Sequence, residues 1–136
     1  MEGKRESILG DLILDQDSVT DELLKKQLAP YVGLSGTEDR IVPKSDFMAL
    51  PQPKKIVLYL LARHAMVRLG IPGASLAAQT ERIAESCLVH PKSCTEVLSR
   101  LKATGMVTKG DDGWSIPVHS LLRVANELPK RTERQK

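Results

Sequence analysis

Apolar side chains recur at spacings of three and four along much of this chain. The first clear stripe consists of Val19, Leu23, Leu24 and Leu28. It predicts an amphipathic helix over about 18–29. Ser18 followed by Asp21 resembles an N-terminal capping box, and Pro30 ends the pattern. The preceding "SILGDLIL" is compatible with a strand or with part of a helix, and the pattern leaves both open.

The segment "KKIVLYLLARHAMVRLG", from Lys54 to Gly70, is apolar on almost every side. A helix of this kind is buried on most of its surface. Pro53 suits the first turn of a helix, and Gly70, Pro72 and Gly73 terminate the pattern. The sequence therefore predicts a central helix here, after the proline-rich boundary "LPQPKK".

Two shorter helical patterns follow, separated only by "LVH". Thr80 is the predicted N-cap of the first, whose inward positions are Ile83, Ala84 and Cys87. Pro91 fits the first position of the second helix, and Gly105 fits the left-handed residue that ends it. Its inward positions, spaced by three and four, are Cys94, Val97, Leu98 and Leu101. This arrangement is typical of a helix-turn-helix unit.

A β-hairpin is predicted directly after these helices. Met106 and Val107 begin a strand, "KGDDGW" supplies the turn, and "WSIP" returns. Trp114 starts the return strand, and we expect it to anchor the hairpin to the core. "LLRVANEL" then predicts a last amphipathic helix, and residues 129–136 a charged, disordered tail.

The composition predicts an aliphatic core, and the charge is unevenly distributed along the chain. The 136 residues are 41% apolar but only 3% aromatic, and the net charge is +3. Residues 1–46 contain ten acids and six bases, whereas residues 47–136 contain seven acids and fourteen bases. A polyanion would bind the basic part, although surface lysines and arginines also simply keep a domain in solution. The predicted organisation is an acidic arm over 1–50 and a second unit over 51–128.

The first residues, "MEGKRESILGDLILDQD", place acids within and after a short apolar run. This is not the pattern of a secretory signal, and there is no apolar run of membrane-spanning length. We therefore expect a cytoplasmic protein that does not contact membranes. Two cysteines, Cys87 and Cys94, do not make a disulfide framework.

The run "LSRLKATGMV", from Leu98 to Val107, follows the pattern apolar–Ser–Arg–Leu–Lys–x–x–Gly–apolar–apolar. Together with "TERIAESC", "LVHP" and "TKGDDGWSIP", it resembles the winged helix-turn-helix DNA-binding family of bacterial and archaeal regulators, over residues 53–128. The resemblance implies a mainly α fold with a small β-hairpin and, in this chain, an N-terminal helical extension.

The same resemblance implies a transcriptional regulator that binds double-stranded DNA. The helix at about 91–104 would enter the major groove, and a wing at 106–117 would lie beside it. The outward residues of that helix are Lys92, Ser93, Thr95, Glu96, Ser99 and Arg100. Arginine can pair with guanine and glutamate with cytosine, whereas Lys92, Lys102 and Lys109 are expected at phosphates.

A second interpretation stays open, in which the unit is a protein-interaction module or adaptor that does not touch DNA. The acids Asp111 and Asp112 at the predicted wing tip favour it, since they would repel phosphates. The helix at 18–29 also has two interpretations. Its apolar stripe either packs on its own domain or pairs with a second copy in a homodimer.

Other chemistry is not predicted. Cys87, His90 and Cys94 have a metal-like spacing, but zinc requires a fourth ligand, and both cysteines fall at inward helical positions. No catalytic set and no glycine-rich phosphate loop is present in the sequence. We therefore expect no metal, no cofactor and no enzymatic activity. RNA binding is disfavoured because aromatic residues for base stacking are few.

Overall fold

A computed structural model describes residues 16–126, which form a mainly helical fold with two small antiparallel sheets. The front part contains α1 (Gln16–Leu28), β1 (Val32–Leu34), β2 (Ile41–Pro43) and α2 (Ser45–Met48). The remaining elements are α3 (Gln52–Arg68), α4 (Thr80–Cys87), α5 (Pro91–Ala103), β3 (Thr108–Gly110), β4 (Gly113–Ser115), a 3-10 turn (Val118–Ser120) and α6 (Leu121–Asn126).

Helix α3 lies at the centre and packs against α1, α4 and α5. All residues from Ile56 to Ala62 are at most 1% exposed, which confirms the prediction that this helix is buried on most of its surface. Pro51 precedes the helix, Pro53 lies in its first turn, and Gly70 follows its end with a φ of +72°. A helix with apolar side chains all round is stable in this position because neighbours cover each of its faces.

The front part and the elements from α3 to α6 share one apolar core. Leu24, Leu28, Val32, Ile41 and Phe47 belong to the same buried cluster as Leu98 and Ile116. Helix α1 packs against both α3 and α6. The apolar stripe of α1 is thus used within its own chain, and homodimerisation through this helix stays a prediction.

The loop between β1 and β2 is fastened to α3 and α4 through Asp39. Its Oδ2 accepts a hydrogen bond from Nη2 of Arg63 at 3.2 Å and lies 3.3 Å from Nη2 of Arg82. Arg82 also donates to the main-chain oxygen of Asp39 at 2.6 Å. Arg63 is only 2% exposed, and it further donates to Tyr59 and to Ser75. A buried guanidinium needs such partners, because an unpaired charge in the interior is costly.

Several predicted boundaries require correction. Helix α1 already includes Gln16 and Asp17, so Ser18 lies inside the helix rather than at its N-cap, and Asp21 pairs with Arg68 instead. The hairpin strand predicted from Met106 begins at Thr108, and the helix predicted to 104 ends at Ala103. The segment "SILGDLIL" and the tail at 129–136 lie outside the described residues.

Among the residues that the structure describes, none of the helices is both long and apolar enough to cross a bilayer.

Candidate nucleic-acid interface

Helices α4 and α5 are joined by residues 88–90, and the reversal depends on the backbone of Leu88. This residue has φ +60° and ψ +44°, the left-handed conformation in which many helices end. The amide of Val89 then bonds the carbonyl of Ala84 at 3.0 Å. A leucine is an uncommon choice here, since its Cβ is strained at positive φ, and its side chain is 58% exposed.

His90 caps the N-terminus of α5. Its Nδ1 accepts a hydrogen bond from the backbone amide of Lys92 at 3.1 Å, and Pro91 occupies the first turn. This bond requires an unprotonated Nδ1, which leaves the proton of a neutral imidazole on Nε2. His90 is therefore a capping residue, a role that the sequence did not indicate because the usual N-cap side chains are Ser, Thr, Asp and Asn.

The inner face of α5 is fixed by apolar contacts. Cys94, Val97, Leu98 and Leu101 are all buried, as the spacing predicted, and α5 packs against both α3 and α4. Burial raises the pKa of the Cys87 thiol and raises that of Cys94 to about 11. Both side chains are protonated thiols at neutral pH, and Cys87 donates to the carbonyl of Lys55 at 3.5 Å. Within residues 16–126, no group of three His, Cys, Asp or Glu side chains is arranged to hold a metal ion.

The outer face of α5 is polar and open. The structure leaves Lys92, Thr95, Glu96, Ser99, Arg100 and Lys102 exposed, and Ser93 half-buried. The hydroxyl of Thr95 donates to the carbonyl of Pro91 at 3.1 Å, so this side chain is directed along the helix. The exposed charges on α5 are three cations and one carboxylate, which makes the face positive.

The β3–β4 hairpin carries Lys109 and is attached to the segment before α4. Strands β3 and β4 pair from Thr108↔Ser115 to Gly110↔Gly113, with Asp111 and Asp112 exposed in the turn. Ala78 forms an isolated bridge with Trp114 through two main-chain hydrogen bonds of 2.8 and 3.0 Å. The hairpin therefore has a third, one-residue strand, which pattern analysis did not predict.

Gly113 permits this attachment. A Cβ built on it would lie 2.4 Å from the carbonyl oxygen of Ala78, and its φ is +117°. Both the close approach and the backbone conformation demand glycine. The sequence pattern places Gly113 in the predicted turn and does not indicate this close approach.

Thr80 links α5 and the hairpin. Its hydroxyl accepts a hydrogen bond from Nε1 of Trp114 at 3.0 Å, and its carbonyl lies 3.9 Å from the thiol of Cys94. The N-cap of α4 is Gln79, without a side-chain bond, so the prediction of Thr80 as N-cap is wrong. The prediction that Trp114 anchors the hairpin is confirmed, since the indole is 4% exposed.

Lys109 packs against the indole ring of Trp114. Its Nζ lies 5.3 Å above the centroid of the Trp114 ring, within cation–π distance. The side chain of Lys109 nevertheless remains exposed. Seven of the eight predicted contact residues thus share one helix, and the eighth lies on a hairpin that Thr80 fixes to the start of α4.

Comparisons of the chain with protein-family models, with curated proteins and with solved structures found no match.

Proposed function

We propose that the protein binds double-stranded DNA as a transcriptional regulator and that α3–α6 form a winged helix-turn-helix unit. Helices α4 and α5 would be the helix-turn-helix, the β3–β4 hairpin the wing, and α1 the N-terminal extension. The chain order supports this proposal: a central helix, the bridge at Ala78, two helices joined by a three-residue turn, and a hairpin that pairs back to Ala78.

The observation that carries the proposal is the division of α5 into two faces. Its apolar face is buried against α3 and α4, while its polar face, with Lys92, Arg100 and Lys102, is exposed. An α-helix with side chains is about 10–12 Å wide and fits the major groove, which is about 12 Å wide. Insertion would therefore require no unpacking of the core.

The residues would have different roles on the duplex. Ser93, Thr95, Glu96, Ser99 and Arg100 lie on the face that would meet base edges. Arg100 could pair with both acceptors of a guanine, and Glu96 could accept from a cytosine amine. Lys92, Lys102 and Lys109 would neutralise phosphates and set the register without reading sequence.

The proposal is tested by titrating the full chain with random duplex DNA at two or more salt concentrations. Counterion release predicts that log K falls by about 0.9 per phosphate contact for each unit of log salt. Lys102→Ala should lower that slope by about 0.9 and weaken all sequences equally. Lys26→Ala, an exposed lysine on α1, is the matched control and should change neither quantity.

Arg100→Ala tests sequence specificity in the same experiment. Once a preferred sequence has been selected from a random pool, this change should cost about 1–3 kcal/mol and relax the preference at one base pair. No binding at low salt, or binding that is independent of salt, would remove DNA from the proposed function.

One feature of the hairpin favours a second function, that of a protein-interaction module. Asp111 and Asp112 are both exposed at the tip, where a wing would approach phosphates. Their charges would repel DNA and would suit a basic protein surface instead. Two results together would favour this function. The protein would not bind DNA, and it would bind a stable protein partner equally well after Lys92→Ala and Arg100→Ala.

A further inference from the structure

A cavity of about 420 Å³ lies between α1, β1 and the C-terminal end of α3, among elements that do not belong to the predicted DNA surface. Its size falls within the range of about 300–1,000 Å³ that is usual for small-molecule sites. The role proposed for α5 and the hairpin does not use it.

The walls of this cavity are apolar. Leu24, Leu28 and Val32, each at most 5% exposed, line its inner side, and Leu34 and Ala65 are half-buried beside them. Leu69 also lines it and is 68% exposed, the highest value among the large apolar side chains that the structure describes as exposed. Hydrocarbon placed here would remove the side chain of Leu69 from water, which is favourable by about 25 cal/mol per Å² of apolar surface.

The rim of the cavity carries a positive excess. Among the lining residues that lie in 16–126, Lys25 and Arg68 are cations and Asp21 is the single acid. The carboxylate of Asp21 pairs with Nε of Arg68 at 2.5 Å. The ammonium group of Lys25 is exposed and makes no hydrogen bond or ion pair with any residue in 16–126. An apolar space with an exposed ammonium group at its edge matches a ligand with a hydrocarbon body and an anionic end.

We propose that this cavity binds a small amphipathic carboxylate, such as a medium-chain fatty acid, with its hydrocarbon against Leu24, Leu28 and Leu69 and its carboxylate at Lys25. The contribution of Lys25 should be modest, because an exposed ion pair is worth at most about 1 kcal/mol. Most of the affinity should come from the apolar wall, and Lys25 should supply the preference for an acid over a neutral ligand.

The test uses the full chain with decanoate and, as the neutral ligand of equal chain length, decan-1-ol. Both are titrated while methyl chemical shifts are recorded by NMR. Saturable one-to-one binding of decanoate should shift the methyl groups of Leu24, Leu28 and Val32. Those of Leu98 and Val97, under α5, should stay unchanged.

Two variants test the roles of the rim and of the wall, and a third variant is the control. Lys25→Met should weaken decanoate about threefold to fivefold and leave decan-1-ol unchanged. Lys26→Met, which alters the neighbouring lysine outside this cavity, should affect neither ligand. Ala65→Met should fill the space and weaken both ligands together.

Three results would overturn the proposal. One is an absence of saturable binding. Another is equal affinity for acid and alcohol that Lys25→Met does not change. The third is a set of nuclear Overhauser contacts from Leu24 and Leu28 to residues 1–15 or to a second copy of the chain that decanoate does not displace. The cavity would then be occupied by protein. No DNA is present in these titrations, so their outcome is independent of the proposed DNA binding.

Discussion

The indole Nε1 of Trp114 donates a hydrogen bond to the hydroxyl of Thr80 at 3.0 Å, across 34 positions of sequence. This bond joins the return strand of the hairpin to the first residue of α4. The carbonyl of Thr80 also lies beside the thiol of Cys94 in α5. Together with the main-chain bridge between Ala78 and Trp114, Thr80 therefore fixes the position of the hairpin relative to α4 and α5.

Replacing this threonine tests the junction. Thr80→Val keeps the shape of the side chain but leaves the indole N–H of Trp114 without its acceptor in a site that is 4% exposed. We expect a loss of about 1–3 kcal/mol of unfolding free energy, measured by urea denaturation. Thr80→Ser keeps the hydroxyl and should lose less than about 1 kcal/mol. Equal stability of the two variants would contradict a role for the hydrogen bond.

The glycines that flank the hairpin turn form a matched pair. Gly113→Ala would place a Cβ 2.4 Å from the carbonyl oxygen of Ala78, whereas a Cβ on Gly110 meets nothing within 4 Å. We expect Gly113→Ala to destabilise the fold by about 2–4 kcal/mol and Gly110→Ala to change stability by less than about 0.5 kcal/mol. Thermal unfolding of both variants measures the difference. An unperturbed Gly113→Ala protein would show that the Ala78 bridge does not form.

Neighbouring acids in the β1–β2 loop should differ sharply in importance. Asp39 is 15% exposed and serves both Arg63 and Arg82, so Asp39→Ala leaves the buried Arg63 without its charged partner. We expect a loss of about 3 kcal/mol. The pair between Glu38 and Arg40 has side chains 63% and 60% exposed, and Glu38→Ala should cost less than about 0.5 kcal/mol. Chemical denaturation at one pH compares them, and similar losses would contradict the assignment.

His64 should make stability depend on pH. Its side chain is 3% exposed, and its Nε2 lies 2.7 Å from the carbonyl oxygen of Ile116. Burial lowers the pKa of His64 below its usual 6.5, with a further lowering by the charge of Arg68, against a raising by the Ile116 hydrogen bond. The folded state therefore keeps the ring neutral while the unfolded chain takes up a proton.

The unfolding free energy should consequently be constant above about pH 7 and fall as the pH drops below 6.5, by at most about 1.4 kcal/mol per pH unit. His64→Gln should remove that part of the decline, and His119→Gln, at an exposed position, should keep it. Urea titrations from about pH 5 to about pH 7.5 measure the slopes. An unchanged slope in His64→Gln would place the titrating group elsewhere.

The spacing of apolar residues was sufficient to predict the helices and the hairpin that carry the candidate site. The spacing of Cys94, Val97, Leu98 and Leu101 predicted which side of α5 is buried, because burial of one stripe is what stabilises an amphipathic helix. Exposure of Lys92, Arg100 and Lys102 follows from the same periodicity. Whether these side chains meet DNA does not follow from it and stays a prediction.

The connections between elements were not predictable in this way. The bridge from Ala78 to Trp114 and the bond from Trp114 to Thr80 join residues that are far apart in sequence, and no local periodicity encodes them. The ion pairs of Asp39 with Arg63 and Arg82 likewise join residues that are far apart in sequence. At Leu88 the local preference of the residue is overridden. Leucine disfavours the left-handed backbone conformation, but the short connection between the packed helices α4 and α5 requires it.

Because α1, β1 and α2 bury side chains in the same interior as α5, the segment from α3 to α6 does not form an independent core. A fragment that starts at residue 51 would expose to water the flank of α3 that Leu24 and Leu28 now cover. We expect such a fragment to aggregate when expressed alone. Fusions meant to present the outer face of α5 on another protein should therefore retain everything from Gln16 onward.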